Sequence, residues 1–474
     1  MIEYQLYFFS WSKFVNGFVL EFPEFSKLPM IGSRMSLLAI SRKYATSATN
    51  VKERLVIIGT GWAGFKLLSK IDTKRYDVVV VSPRNYFVFT PLLASTCVGT
   101  LEYRAVTEPI RKHAKNFTFF QSKCEQINLE KRQLTIRSAL EDASYDEHIV
   151  NFDKLVICCG ALTQTFGIPG VKENACFLKD IGDARKIRNR ILDCFEKAKQ
   201  PNVTEEQQKG FLNFVAVGGG PTGVEFSAEL HDFIYEDLSK MYPELMSKVT
   251  ITLIDVAPKI LTNFDASLSE YAAKKFERSG IKIRTGTKVL ELGKEEIKLH
   301  GGENLKYGLA VWATGLAPNP LIQSTNLPLD PAKRLITDGY LRVLDKDNKA
   351  LDNVFALGDC AVVKDAPLPQ TAQIANQKGL FLARTLNNTA KGKQLESQPV
   401  FSYKEIGSLA YVGDWKAIAS LRIRDQKVHK AGFQAWILWR YAYFSMSVSW
   451  RNKVLIPIYW LVASIFGRNT SRFQ

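Results

Sequence analysis

Unbroken apolar runs that end in glycine occur twice along the chain. Residues 55–58 and 214–217 are entirely apolar, and each run leads into a G-x-G-x-x-G motif. Strands without polar alternation are typical of parallel sheets buried on both faces. The glycine spacing permits a tight turn, close approach of a pyrophosphate to the backbone, and close packing of the next helix. The motif glycines are Gly59, Gly61 and Gly64, and Gly218, Gly220 and Gly223.

Each motif therefore predicts a strand, a phosphate-binding turn and a helix N-terminus that faces the phosphates. One such motif alone is a weak signal, because glycine turns occur without nucleotides. Here both motifs lie between a predicted strand and a predicted helix. The pair indicates an α/β protein with two Rossmann-like dinucleotide-binding units.

The residues that follow the next strand differ between the two units. In the second unit, residues 250–254 end at Asp255, a carboxylate that can accept both ribose hydroxyls of an adenosine. It would repel a 2′-phosphate, which favours NADH over NADPH. The alternative is a solvated acid at a strand end. In the first unit, Ser82 replaces the acid, which argues against NAD there but leaves FAD open.

Three further segments suggest ligand contacts. Asp359 follows a short strand and Gly358, and can accept hydrogen bonds from the ribityl hydroxyls of a flavin. Residues 85–93 contain three aromatic residues and a proline, too many for a regular helix, and predict a loop lining a cofactor cavity or a packed crossover. Thr371 is a candidate N-cap for a helix on which Gln373 and Gln377 share a face.

Length, charge and cysteine spacing narrow the class of protein to which the chain can belong. The chain has 474 residues, 46% of them hydrophobic and 23% charged, which is enough for two or three globular domains. The net charge is +16, but no block of lysines interleaved with aromatic residues indicates a nucleic-acid groove. The seven cysteines have no metal-like spacing, and the adjacent Cys158 and Cys159 predict core packing rather than a redox pair.

Both ends of the chain differ from this pattern. From Met35 the sequence is basic, rich in Ser and Ala, and free of acids until Glu53, which predicts a mitochondrial transit peptide within residues 1–50. Glu3 and Glu21 fit that prediction poorly, and the alternative is an apolar arm folded on the body.

The polar residues 196–210 predict a surface loop.

The C-terminal region contains two apolar, aromatic stretches, residues 435–444 and 454–466. A membrane span needs about 20 apolar residues, and Arg440 interrupts the first stretch while Arg451 precedes the second. Tryptophans beside basic residues predict helices that lie in a membrane interface. The alternative is a hydrophobic hairpin or dimer interface. The tryptophans are Trp436, Trp439, Trp450 and Trp460.

From about Val51 to its C-terminus, the chain resembles the mitochondrial type II (alternative, rotenone-insensitive) NADH:ubiquinone oxidoreductases of the fungal kind. The segments that carry the resemblance are SPRNYFVFTPLL (82–93), VGTLEYR (98–104), TFGIPGV (165–171), VGGGPTGVEFSAEL (217–230), WATG (312–315), ALGD (356–359) and TAQIANQ (371–377). The absence of an acid at Ser82 is also usual in this family.

The resemblance implies hydride transfer from NADH to FAD and delivery of two electrons to ubiquinone, without proton pumping. It also implies a homodimer bound to the surface of the mitochondrial inner membrane. The implied FAD site comprises Gly59, Gly61, Gly64, Thr90, Pro91 and Asp359. The implied NADH site comprises Gly218, Gly220, Gly223 and Asp255. The implied catalytic residues are Glu225, beside flavin and nicotinamide, and Gln373 and Gln377, at the quinone.

The expected organisation is two Rossmann-like domains and a C-terminal membrane-anchoring helical segment. Two other functions remain open: a sulfide:quinone oxidoreductase-like enzyme, which needs a working cysteine pair near the flavin, and an NADH-binding redox-sensing or death-promoting flavoprotein. The expected domains are a transit peptide or extension (1–50), an FAD-binding domain (51–175 and 326–400), an NADH-binding domain (176–325) and a membrane-association domain (401–474).

Overall fold

The computed structural model describes residues 52–113, 115–140, 147–423, 426–447 and 449–472. The predicted transit peptide, residues 1–50, lies outside these ranges.

The described chain begins with the predicted strand, glycine turn and helix. Strand β1 (Arg54–Ile58) is buried over its last four residues, and helix α1 (Trp62–Leu68) follows the turn. The next strands are β2 (Asp77–Ser82), β3 (Tyr86–Val88), β4 (Thr107–Pro109), β5 (Thr118–Asn128), β6 (Gln133–Ser138), β7 (His148–Asn151), β8 (Lys154–Ile157), β9 (Leu162–Thr163) and β10 (Cys176–Phe177). The next helices are α2 (Leu93–Cys97), α3 (Ile110–His113) and α4 (Val171–Asn174), with 3₁₀ turns at Thr90–Leu92 and Tyr103–Ala105.

The middle of the chain repeats the strand-turn-helix unit. Its strands are β11 (Asn213–Val217), β12 (Thr250–Ile254), β13 (Lys282–Arg284), β14 (Val289–Leu292), β15 (Glu296–Leu299), β16 (Asn304–Lys306), β17 (Leu309–Trp312) and β18 (Leu316–Ala317). Its helices are α5 (Ile181–Ala198), α6 (Glu205–Phe211), α7 (Pro221–Phe233), a π-helical turn (Ile234–Leu238), α8 (Ser239–Met241), a 3₁₀ turn (Pro243–Lys248), α9 (Ala266–Arg278) and α10 (Pro320–Gln323).

The surface loop predicted at residues 196–210 was wrong in part. Helix α5 extends into the segment, and α6 begins within it at Glu205. The Thr204 hydroxyl accepts a hydrogen bond from the backbone N–H of Gln207, and the Gln207 side chain accepts one from the N–H of Thr204. This capping box satisfies backbone groups that a short polar helix would otherwise leave unpaired.

The rest of the chain adds strands to the first sheet and then forms a separate C-terminal segment. The added elements are β19 (Leu335–Thr337), β20 (Arg342–Leu344), β21 (Ala350–Ala356), β22 (Ala361–Val363) and α11 (Ala372–Thr389). The C-terminal elements are β23 (Gly407–Gly413), β24 (Lys416–Ile423), β25 (Gln426–Gly432), α12 (Phe433–Met446) and α13 (Trp450–Phe466).

Two sheets position the two glycine turns. The ten-stranded sheet has the order β22-β19-β20-β21-β8-β1-β2-β5-β6-β7, and β1 lies parallel to its neighbours β8 and β2. The five-stranded sheet has the order β10-β17-β11-β12-β13 and is parallel throughout, with β11 between β17 and β12. Ligands of such sheets bind at the carboxyl ends of the strands where the strand order reverses. Both glycine turns lie at such a point.

Helix α11 begins as predicted and packs against α1. The Thr371 side chain accepts a hydrogen bond from the N–H of Ile374 at 3.3 Å, which confirms it as the N-cap. At Gly379 a Cβ atom would lie 2.5 Å from the carbonyl oxygen of Ala63, so the two helices touch backbone to backbone. The first turn of α11 is thereby held near the first glycine turn.

Helices α12 and α13 lie against the body, and no described helix is long and apolar enough to cross a membrane. The four tryptophans on which the predicted membrane interface rests differ in exposure. Trp436, Trp439 and Trp460 are buried, and Trp450 alone of the four is exposed. Arg440 stacks on the rings of Trp436 and Trp460, at 4.2 and 4.5 Å. Aromatic area packed on the body stabilises these helices more than exposure would.

Candidate functional site

The turn after β1 brings a helix unusually close to a strand. Gly59 has a φ of +97°, and a Cβ atom there would lie 2.4 Å from the carbonyl oxygen of Cys158. At Gly64 a Cβ would lie 2.0 Å from the carbonyl oxygen of Gly59. Gly61 is the N-cap of α1, and nothing lies within 4 Å of the position of its Cβ. The turn therefore leaves open space in front of a helix N-terminus.

The turn after β11 repeats this geometry. Gly218 has a φ of +119°, and at Gly223 a Cβ would lie 1.9 Å from the carbonyl oxygen of Gly218. Gly220 is the N-cap of α7 and again faces open space. Neither α1 nor α7 has a side chain that caps its first N–H groups. Free N–H groups at a helix N-terminus attract phosphate, so each turn fits a dinucleotide pyrophosphate.

Hydroxyl groups surround the first turn. Ser82, the last residue of β2, is buried, and its hydroxyl lies 2.8 Å from that of Thr60. Thr90 accepts a hydrogen bond from the indole of Trp62 at 2.9 Å, and lies in the same 3₁₀ turn as Pro91. Residues 85–93, predicted to form a loop or a packed crossover, thus contact the first glycine turn through Thr90.

Asp359 lies beside the first turn. At the preceding Gly358, a Cβ would lie 3.4 Å from the Cβ of Ala63 in α1. Burial raises the pKa of the Asp359 carboxyl, and the charges of Lys179 and Lys378 oppose that rise. Within the described ranges no hydrogen-bond donor contacts this carboxylate. It can accept hydrogen bonds from the hydroxyl groups of a ligand along α1, as an FAD ribityl chain would require.

Asp255 follows β12 at the edge of the second turn. One carboxylate oxygen accepts a hydrogen bond from the backbone N–H of Gly219, and the other accepts one from Ala257 at 2.6 Å. These bonds fix the carboxylate at the turn and leave each oxygen a lone pair for another donor. The arrangement fits the two hydroxyls of an adenosine ribose, as NADH would present them.

Glu225 lies on α7, just beyond the second turn, and is 7% exposed. Its Oε1 atom accepts hydrogen bonds from the backbone N–H of Tyr411, at 3.2 Å, and from the indole of Trp439, at 3.1 Å. Burial raises the pKa of this carboxyl to about 8, although both hydrogen bonds oppose the rise. Glu225 is therefore an acid that holds its proton at neutral pH.

Gln373 and Gln377 both face the segment that leads into β23. The Gln373 side-chain oxygen accepts a hydrogen bond from the hydroxyl of Tyr403. The Gln377 amide donates to the carbonyl oxygen of Lys404 at 2.8 Å, and its oxygen accepts from the N–H of Lys404 at 3.0 Å. Both polar groups of the Gln377 side chain are therefore hydrogen-bonded to the backbone of Lys404. In the described residues, the amide nitrogen of Gln373 has no protein acceptor.

The cysteines that the structure describes are all free. Cys158 is buried in the core, as predicted, whereas Cys159 is half-buried. The interaction between the thiols of Cys159 and Cys360 raises the pKa of Cys159 and lowers that of Cys360. Their separation in sequence gave no sign of this interaction.

Comparison with known proteins identifies the family. A model described as pyridine nucleotide-disulphide oxidoreductase matches residues 53–379, and one described as the NDH2 C-terminal domain matches residues 406–469. A probable NADH dehydrogenase of Dictyostelium discoideum is 40% identical to this chain, over 92% of this chain and 94% of the relative. The mitochondrial external alternative NADH-ubiquinone oxidoreductase of Yarrowia lipolytica is 39% identical, over 89% and 81% of the two chains. The chain belongs to the alternative NADH-ubiquinone oxidoreductases.

A solved structure resembles this alternative oxidoreductase along most of its length. It is the structure of NDH2 from Plasmodium falciparum in complex with NADH. The TM-score is 0.82 at 29% sequence identity, and the match covers 89% of this chain and all of the other.

Several residues around the buried acid of this alternative oxidoreductase were missed from the sequence. Glu229 follows Glu225 by one helical turn and is also buried, so its spacing was a usable signal. Tyr411 and Trp439 reach Glu225 from 186 and 214 residues away. No local pattern could have revealed these two partners.

Replacing Gly223 with alanine is expected to reduce stability by about 1–3 kcal/mol and to weaken NADH binding, since the new methyl group would meet the carbonyl of Gly218. Gly182→Ala is the matched control, because its Cβ would meet nothing within 4 Å on α5. Denaturant unfolding and calorimetric titration with NADH measure the two effects. If both variants have the same stability and the same affinity for NADH, α7 does not pack as closely on the Gly218 turn as the structure shows.

Proposed function

We propose that this protein is a type II NADH dehydrogenase, which oxidises NADH and reduces ubiquinone through bound FAD without pumping protons. The observation that carries the proposal is a second glycine turn flanked by Asp255 and followed by the buried acid Glu225. The names of the relatives support NADH, ubiquinone and the mitochondrion, and the P. falciparum structure contains NADH. FAD would be bound by residues 51–175 and 326–400, and NADH by residues 176–325.

Bound FAD would supply two-electron acceptance from NADH and electron transfer to a quinone. The residues of this chain hold the reactants. The N–H groups at the start of α1, beyond Gly61, face one pyrophosphate, and Asp359 accepts hydroxyl groups alongside. The N–H groups at the start of α7, beyond Gly220, face the other pyrophosphate, and Asp255 holds the ribose.

Glu225 holds a proton in the buried space behind the second turn. Quinone reduction consumes two protons as well as two electrons. Because Oε1 of Glu225 already accepts two N–H bonds, the proton resides on Oε2. The pKa of about 8 keeps it there at neutral pH, so Glu225 is the group we assign to proton delivery.

Purified protein should oxidise NADH only slowly alone and rapidly with a short-chain ubiquinone, and should prefer NADH to NADPH. Asp255→Gln should raise the KM for NADH and reduce the NADH preference in kcat/KM, because it removes a ribose acceptor and a charge that repels the 2′-phosphate. Asp347→Gln, which removes the same charge from an exposed turn, is the control. Absence of quinone-dependent NADH oxidation would overturn the function, and an unchanged preference would overturn the assignment of Asp255.

We assign the quinone head to the face of α11 that carries Gln373. A benzoquinone is apolar on both faces and accepts hydrogen bonds at two oxygens, so its site needs an apolar slot and a donor. The amide nitrogen of Gln373 is available as that donor. Gln377 supports the site by fixing the backbone at Lys404, next to the residue that engages Gln373.

Gln373→Leu should raise the KM for ubiquinone several-fold and leave the anaerobic single-turnover reaction with NADH nearly unchanged, because the leucine removes a donor to the quinone only. Tyr403→Phe is the matched control, since it removes the partner of the Gln373 oxygen and retains the amide donor. A slowed reaction with NADH in Gln373→Leu would assign this face to the flavin instead.

The C-terminal helices are the proposed membrane contact. One face of each is apolar and exposed, opposite the face that packs on the body. Residues three or four apart repeat along these faces, and Lys453 lies 5.7 Å above the ring of Trp450. Amphipathic surfaces of this kind bind in the lipid headgroup region. The exposed residues are Phe433, Ile437 and Tyr441 on α12, and Trp450, Val454, Ile458, Leu461 and Ile465 on α13.

Ile437→Ser combined with Trp450→Ser should reduce flotation with liposomes of inner-membrane composition, because the pair removes apolar area from this face. Ile149→Ser with Val256→Ser is the control, since these side chains are 65% and 70% exposed elsewhere on the body. Point variants suit this test better than truncation, because α12 also supplies the Trp439 indole to Glu225.

A homodimer is also proposed, and light scattering in the absence of lipid distinguishes its interface from the membrane contact. If Ile437→Ser with Trp450→Ser converts a dimer to a monomer and leaves flotation unchanged, the face binds a second copy and not lipid.

A further inference from the structure

Helix α7 directs a row of carboxylates at the C-terminal segment. Glu225, Glu229 and Asp232 lie at spacings of four and three residues, which places them on one face of the helix. Their exposures are 7%, 5% and 3%. Buried carboxylates repel one another unless protons or cations compensate, so the surroundings decide which of them is charged.

Glu225 has only neutral donors around it. The Tyr411 backbone and the Trp439 indole contact its Oε1 atom, and the half-buried Tyr443 is a titratable group that faces it from α12. Both of these hydrogen bonds come from uncharged N–H groups. The charged neighbour that acts on it is Glu229, one turn along the same helix, and that interaction raises the pKa of Glu225 beyond the effect of burial.

Glu229 has the surroundings of a charged carboxylate. Ser95 donates a hydrogen bond to one of its oxygens at 2.5 Å, and Thr100 donates to the other at 3.1 Å. The Thr100 hydroxyl in turn accepts a hydrogen bond from Nε of Arg468 at 2.9 Å. Burial raises the pKa of Glu229, whereas Arg468 and the two hydroxyls oppose the rise. Arg440 on α12 is a second cation that interacts with it.

Arg468 is held in place by other acids. Its guanidinium contacts Asp237 at 2.7 Å and Glu236 at 2.7 Å, and its backbone N–H donates to Asp237 at 3.1 Å. Asp232, the third acid of the row, accepts a hydrogen bond from the hydroxyl of Tyr411 at 2.5 Å and lies 3.4 Å from the ring of His231. The cation that compensates Glu229 is therefore fixed by the chain that follows α13.

We propose that Glu229 holds the negative charge of the pair and that this charge adds to the burial of Glu225 in favouring its protonated form. Two carboxyls in different surroundings then have different tasks: one stays ionised beside a cation, and the other stays neutral and carries the proton. Glu229 is a positioning residue, since it acts through Glu225. The proposal rests on the proposed function only where the Glu225 proton is said to reach the quinone.

Infrared spectroscopy of the FAD-loaded enzyme measures the protonation of Glu225 directly. The carbonyl stretch of its carboxylic acid is the band that disappears in Glu225→Gln. In the wild type this band should persist at pH 7 and vanish as the pH rises through about 8. If the wild-type enzyme lacks this band at pH 7, Glu225 is ionised and the proposal is overturned, whatever the Glu229 variants show.

Glu229→Gln should shift the loss of the Glu225 band to lower pH, because the repelling charge is removed and ionisation of Glu225 becomes easier; the shift should be smaller than the rise that burial causes. Glu229→Asp retains the charge but is too short to keep both hydroxyl contacts, so it should leave the titration near that of the wild type. If Glu229 had only a structural role, Glu229→Gln and Glu229→Asp would both disturb the titration of Glu225. Glu270→Gln, which removes a carboxylate from the exposed face of α9, is the control.

The pH profile of quinone reduction separates this proposal from the proposed function. The decline of the rate at high pH should move to lower pH in Glu229→Gln by the same amount as the infrared band. If the band moves and the profile does not, the charged pair stands and the role of Glu225 in proton delivery is overturned. If the band does not move in Glu229→Gln, the charge of Glu229 does not control Glu225 and the proposal is overturned.

Discussion

The structure depends on two places where a helix lies so close to a strand that no side chain fits between them. At Gly64 and Gly223 a Cβ atom would lie 2.0 and 1.9 Å from a carbonyl oxygen of the preceding turn. Only this approach brings the N-terminus of each helix over the carboxyl end of its sheet. Asp359 and Asp255 then stand beside helix ends that attract phosphate, which is the arrangement on which the proposed FAD and NADH sites rest.

The second constraint is the burial of acids on α7. The helix that presents its N-terminus to one ligand also carries Glu225 and Glu229 into the protein, where they need partners. The C-terminal segment supplies them: Trp439 contacts Glu225, and Arg468 contacts the hydroxyl that bonds to Glu229. The same helix that supplies Trp439 exposes Ile437 on its other side. The proposed membrane contact and the proposed proton site are thus two faces of one helix.

The sequence analysis succeeded where the physical cause is local. Both glycine turns, the strands before them and the Thr371 cap were predicted, because each depends on a few consecutive residues. It failed at residues 205–211, where a capping box was present but the polar composition suggested a loop. It did not distinguish the buried Trp436 and Trp460 from the exposed Trp450, because a tryptophan beside a basic residue looks the same whether it is exposed or packs on its own protein.

The sequence by itself determined the two glycine turns and the acids that follow strands at Asp255 and Asp359, because glycine spacing and strand length are local features. It also indicated the family, through the segments that resemble it. Only the tertiary structure decided the chemistry of the buried acid. The proton affinity of Glu225 depends on how completely water is excluded and on a backbone N–H, an indole and a carboxylate, two of which come from the C-terminal segment. Likewise, the partners of Gln373 and Cys159 lie far along the chain. Desolvation and long-range contacts belong to the packed protein as a whole, and no short stretch of sequence contains them.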